Sequence, residues 1–160
     1  DVVRFMAKNA AAVFPTRHAK PVSELFDVTT HKIVRVRATV SAASAFSTML
    51  DADVSCVAIV NERGELAGNL SQSDMLGMTA DDLPLLLHSV SRFKAERPAA
   101  RYHAHSYPRT VETIYVSPRD SLAYLLTTFS LTRLHRVYIR DDATRKPVGL
   151  VTLTDVLRLV

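Results

Sequence analysis

The chain has 160 residues, 48% of them hydrophobic and 22% charged, with a net charge of +4 and a sequence pI near 9.5. That length and apolar content suffice to bury a core, as one domain or as two small ones in contact. No apolar run approaches the roughly 20 residues of a membrane span, and the start lacks the charged-then-apolar order of a signal peptide. Cys56 is alone, which excludes an internal disulfide and fits a reducing compartment, cytoplasmic or nuclear. Within the apolar run around Val57 it reads as core filler and not as a nucleophile. Basic residues are dispersed, and without Trp or a Lys/Arg tract interleaved with aromatics nucleic acid is not expected. The same positive excess would suit a concave site for a small anion.

The chain opens on "DVVRFM", which copies the pattern of its own last six residues, Asp155 to Val160: Asp, two aliphatics, Arg, two apolars. Residue 1 is Asp and not an initiator Met, so the chain is expected to be a piece of something longer. Residues 1–19 are expected to hold the terminal helix of a preceding, truncated repeat plus a linker. Next come a strand-like "KIVRVRATV" and an amphipathic stretch, Ala42, Ala45, Phe46, Met49 and Leu50, at helical spacing. Ser41 stands where an N-cap belongs. A β-branched run from Val54 to Val60, the turn "NERGE" and then "GNLSQSDMLGM" follow.

The second half repeats this order. "VETIYVS" is strand-like, and Leu122, Leu125, Leu126 and Phe129 have helical period after a cap and first turn at Ser117-Pro118. Leu134 to Ile139, the turn "DDATRK" and "GLVTLTDVLRLV" complete the copy. Gly68, Ser71, Ser73 and Asp74 match Gly149, Thr152, Thr154 and Asp155 at a constant offset of 81 residues. Each copy thus reads strand, helix, strand, short turn, strand, helix. The expected boundaries are 20–87 for the first repeat, 88–110 for a connector with at most a short helix, and 111–160 for the second repeat. His103 and His105 in the connector are a poor metal pair, lacking Cys and a third evident ligand.

At each corner, Ser/Thr-x-Ser/Thr-Asp places hydroxyls and a carboxylate where a strand gives way to a helix, with free N–H groups nearby that favour an anion. Asp74 and Asp155 are placed to accept two hydrogen bonds from the vicinal hydroxyls of a ribose. Ser71, Ser73, Thr152 and Thr154 can donate to phosphate oxygens, and Gly68 and Gly149 leave room at the backbone. The same residues also form capping-box variants, which need no ligand. His135-Arg136 interrupts the start of an apolar strand. An unpaired guanidinium would be costly to bury there, so Arg136 is expected to reach either a phosphate or a carboxylate such as Asp142. The first copy has Ser55-Cys56 at that place and so is poorer in positive charge.

Two segments, "VSCVAIVNERGELAGNLSQSDML" and "LHRVYIRDDATRKPVGLVTLTDVLRLV", together with "PVSEL" at Pro21 to Leu25, resemble the cystathionine-β-synthase (CBS) domain. Such domains occur in pairs called Bateman modules. In order, spacing and the His-Arg strand the chain looks most like the third and fourth CBS repeats of the γ regulatory subunit of AMP-activated/SNF1-type protein kinases. The resemblance implies an α+β (α/β) fold of two tandem repeats packed about a pseudo-two-fold axis. It also implies binding of AMP, ADP or ATP in the cleft between the repeats. Asp74 and Asp155 would contact ribose. Ser71, Ser73, Thr152, Thr154 and Thr39 would lie near ribose or phosphate, and His135 and Arg136 would face phosphates. The adenine would slot between strand residues, Val57 and Ile59 or Val137 and Ile139. Asp53, where the family has a basic residue, and a long connector are departures that weaken the first corner.

The expected function is accordingly a nucleotide-sensing regulatory module, with kinase catalytic and scaffold subunits as partners if it is γ-like, and with homodimers of CBS pairs as a further mode of association. The alternative is a ligand-free CBS scaffold for protein–protein association. Apart from the nucleotide ligand no cofactor or metal is expected, and no Gly-rich phosphate loop or nucleophile–base arrangement suggests an enzyme.

Overall fold

A computed structural model describes residues 2–27, 30–96, 113–132 and 134–160. The order of elements is α1 (Val2–Lys8), α2 (Ala10–Val13), α3 (Val22–Leu25), β1 (Arg35–Arg37), α4 (Ala42–Asp51), β2 (Cys56–Val60), β3 (Leu66–Ser71), α5 (Val90–Glu96), β4 (Tyr115–Val116), α6 (Leu122–Thr132), β5 (Arg136–Arg140), β6 (Pro147–Thr152) and α7 (Leu153–Leu157). Short 3₁₀ segments occupy Gln72–Met75 and Ala80–Leu87. The chain forms two compact units, one of residues 33–113 and the other of residues 1–32 with 114–160.

The unit of residues 33–113 carries a three-stranded sheet in the order β1-β2-β3, β1 parallel and β3 antiparallel to β2. Strand period places Val36, Val57, Ile59 and Leu70 on one face, where they pack with Ala42, Ala45 and Met49 of α4 and with Val90 and Phe93 of α5. Ser41 caps α4 by accepting from the Ser44 N–H at 3.2 Å. Leu50, which helical spacing assigns to the core face, is 79% exposed at the last turn. After β3 the expected helix is only a 3₁₀ turn, which Gly77 ends at φ 73°, and Pro84 lies inside the second 3₁₀ segment.

The other unit repeats the plan. Its sheet has the order β4-β5-β6, with Val116, Val137, Ile139 and Val151 packed on Leu122, Leu125, Leu126 and Phe129 of α6. Met6 on α1, Ala10 on α2 and Phe14 just beyond α2, spaced by four residues, close the same core. The cap of α6 is Ser121, whose hydroxyl accepts from the Tyr124 N–H at 3.2 Å. Ser117-Pro118 instead makes the preceding turn, in which the Ser117 N–H donates to the Asp120 carboxylate at 2.7 Å.

The two units share one device. Leu122 N–H donates to Lys20 C=O, Val22 N–H to Asp120 C=O and Ser23 N–H to Pro118 C=O. In the other unit Ala42 N–H donates to His88 C=O, Val90 N–H to Val40 C=O and Ser91 N–H to Ala38 C=O. The first helix of each repeat is thus closed by the segment that precedes the other repeat in sequence. Residues 20–32 run on into the first repeat along the chain but pack with residues 114–160. Of the connector, residues 88–96 form this closing segment and α5, while His103 and His105 lie outside the described residues.

Candidate ligand-binding corners

The second corner lies where β6 runs into α7. Thr152 ends the strand in extended conformation, φ −107° and ψ 162°, and Asp155 falls one turn on, the geometry of a capping box. Asp155 Oδ2 accepts from the Thr152 N–H at 2.8 Å and the Thr152 hydroxyl at 2.7 Å, and the Asp155 N–H donates to Thr152 Oγ1 at 3.2 Å. His31 Nε2 lies 2.7 Å from the same Oδ2, and Arg158 Nη1 lies 3.8 Å from Oδ1. The Asp155 side chain is 15% exposed. Burial alone would raise its carboxyl, but the hydrogen bonds from Thr152 and His31 outweigh that and hold it below the ordinary aspartate value.

The first corner has the same plan. Asp74 Oδ2 accepts from the Ser71 N–H at 2.8 Å and the Ser71 hydroxyl at 3.2 Å, and Ser71 and Ser73 share a hydroxyl hydrogen bond of 2.8 Å. Lys94, from α5, donates to Asp74 Oδ1 at 2.6 Å. Sequence spacing brought Ser71, Ser73 and Asp74 together, and likewise Thr152 and Asp155. It missed His31 and Lys94, which arrive from the closing segments. The signal that could have found those segments is Pro21-Val22-Ser23 against Ser89-Val90-Ser91, a repeat at a different offset from the corner motif.

Strand register supports the matching of Arg136 with Cys56: Arg136 pairs with Thr152 and Cys56 with Ser71. Paired residues share a face, so half-buried Arg136 stands beside Thr152, while His135 is exposed. Asp142, the alternative carboxylate for Arg136, accepts from the Ser117 hydroxyl at 2.8 Å. Thr39 and Thr154 are exposed.

Three expectations change. Val57, Val137 and Ile139 were candidates for holding an adenine, but they are at most 1% exposed, and Ile59 is 4% exposed, because they lie on the sheet faces that pack beneath the helices. The opposite face of β5 carries Arg136, Tyr138 and Arg140. At Gly68 a Cβ would meet Ile59 Cδ1 at 3.4 Å, an ordinary van der Waals contact, so the nearest neighbour of this glycine does not mark room for a ligand at the backbone. The helices expected to lend a dipole are a five-residue α7 and a four-residue 3₁₀ turn, too short to argue for an anion site by themselves.

The model of the CBS domain matches residues 22–80 and 106–160. The chain belongs to the CBS domain family. Among curated proteins it is 28% identical over 123 residues to Protein SDS23 of Pyricularia oryzae, covering 74% of this chain and 22% of that protein. The chain thus spans about a quarter of the length of the SDS23 relatives it matches, whose covered shares run from 22% to 24%. These relatives give no support to the likeness to a kinase γ subunit. Solved structures of the same fold include the CBS-domain protein ATU1752 from Agrobacterium tumefaciens, at TM-score 0.62 and 18% identity over 88% of this chain and 98% of that one. The CBS domain pair of MJ0100, in complex with 5′-methylthioadenosine and S-adenosyl-L-methionine, aligns at TM-score 0.60 and 18% identity over 88% of this chain and 95% of that one.

Proposed function

We propose that this CBS pair is a regulatory module that binds an adenine nucleotide, with Asp155 gripping the ribose and Thr152 and Arg136 facing its phosphate side. The observation that carries this reading is the Asp155 corner. A carboxylate kept ionised and fixed by Thr152 retains one oxygen, Oδ1, whose nearest partner among the described residues is Arg158 at 3.8 Å. An oriented carboxylate with an open oxygen suits a sugar hydroxyl, and the adjoining guanidinium suits a phosphate. The adenosine-type ligands of the MJ0100 pair favour the same chemistry. Such a module acts by differential affinity between conformations, without catalysis. The curated relatives are SDS23 proteins, which lend no support to kinase catalytic and scaffold subunits as partners.

A second reading, a ligand-free scaffold, is favoured by a groove of about 360 Å³ lined by Phe46, Met49, Leu50 and Met75, beside which Leu76 is 62% exposed. Thermal unfolding with AMP, ADP and ATP separates the two. A nucleotide at 100 times its dissociation constant stabilises by about 2.7 kcal/mol, a rise of roughly 5–10 °C at this chain length. No shift with any of the three at millimolar concentration would favour the scaffold.

A further inference from the structure

Asp155 Oδ2 accepts from three donors, the Thr152 N–H, the Thr152 hydroxyl and His31 Nε2. A carboxylate only accepts, so Nε2 carries the hydrogen of the last bond. Each carboxylate oxygen offers about two lone-pair positions, so Oδ2, with three donors, has none left, while Oδ1 is open. A ribose diol that grips the carboxylate through both oxygens sets one hydroxyl on Oδ1 and the other on Oδ2, where it must displace a donor. The two Thr152 donors belong to the local cap, three residues away in sequence, whereas His31 comes from a segment 124 residues distant. His31 is the donor that can leave.

We infer that His31 is a latch on the ribose-binding carboxylate, competing with the second hydroxyl of a bound nucleoside and so making its affinity depend on imidazole protonation. This rests on the ribose role proposed for Asp155. The charged groups around the pair are Asp155 and Arg158 on α7, Arg17 on the Leu159 carbonyl just beyond α7, and the neighbouring Lys32. Asp155 is the anion among them, and imidazole is the side chain whose charge ordinarily changes between pH 5 and 8. A protonated His31 holds the carboxylate more tightly, so acid closes the latch. At the first corner the competing donor is the Lys94 ammonium and not an imidazole, so that corner lacks this latch.

The test is calorimetric titration of the whole protein at pH 6 and pH 8 with adenosine and with 2′-deoxyadenosine, neither of which carries a titrating phosphate. Adenosine is expected to bind about fivefold more weakly at pH 6, the scale of a partly exposed ion pair. 2′-Deoxyadenosine, lacking the diol, is expected to show no pH dependence. His31→Ala should remove the pH dependence and raise adenosine affinity at pH 6. His31→Gln, which keeps a donor but no charge, should also bind without pH dependence and guards against a folding defect in the alanine variant. Adenosine binding with the same pH dependence in all three proteins would overturn the latch while leaving the ribose reading intact. Failure of adenosine and AMP to bind any of them would reject the ribose reading and the latch together.

Discussion

Asp155→Ala separates the capping role of this carboxylate from the ribose-binding role proposed for it. The substitution removes the acceptor of the Thr152 N–H at 2.8 Å, of the Thr152 hydroxyl at 2.7 Å and of His31 at 2.7 Å. Loss of the cap costs about 1 kcal/mol. The His31 pair, with side chains 31% and 15% exposed, adds no more than about 1 kcal/mol after solvent screening. The expected loss is therefore about 1–2 kcal/mol, a fall in Tm of roughly 2–8 °C for a chain of this size. Two hydrogen bonds from a ribose to a charged acceptor are worth more than that in discrimination, so AMP affinity should drop at least tenfold. Urea denaturation measures the first quantity and calorimetry the second. Asp155→Asn, which keeps an acceptor for the Thr152 N–H, should lose about half as much stability as Asp155→Ala and nearly as much affinity. A stability loss above about 4 kcal/mol in Asp155→Ala, or unchanged AMP affinity in a folded variant, would refute the division of roles.

The acid limb carries a further prediction. A carboxyl held below its ordinary value in the folded state binds a proton less readily than in the unfolded chain. Its contribution is thus complete above about pH 5 and drains away as pH falls through and below the ordinary aspartate range. The difference in urea midpoint between the wild-type protein and Asp155→Asn should close over that window, and a difference that grows with acid would contradict the assignment. Phe129→Ala, emptying the core beneath α6 where Phe129 is 1% exposed, should cost about 3–5 kcal/mol by urea denaturation. Asp53 adopts φ 52° just beyond α4, a conformation that suits glycine, so Asp53→Gly should stabilise by about 0.5–1 kcal/mol in the same assay. Lys94→Ala, breaking a 2.6 Å pair in which Lys94 is 37% exposed, should cost less than about 1 kcal/mol.

Much of this was legible in the sequence because the relevant signals are local. The 81-residue repeat located both corners, and the period of Leu122, Leu125, Leu126 and Phe129 marked the buried face of α6. Three-residue spacing foretold both capping boxes, since that spacing alone brings the carboxylate back to the strand end. What escaped is non-local or depends on which face a strand presents. Val137 and Ile139 alternate with Arg136 and Tyr138, and pattern alone does not say which set the helices cover. His31 reaches Asp155 only because residues 1–32 pack with the second repeat, an exchange that no local period encodes. The first corner lacks a true helix because Gly77 and Pro84 interrupt a run that is otherwise apolar enough to suggest one.

The most direct test is a calorimetric comparison of AMP with 2′-deoxy-AMP on the wild-type protein and on Asp155→Ala. If the Asp155 carboxylate grips the sugar, AMP binds the wild-type protein at least tenfold more tightly than its deoxy analogue, and the variant no longer distinguishes them. Equal binding of the two nucleotides by the wild-type protein, or no binding of either, would contradict a sugar-gripping role for this corner.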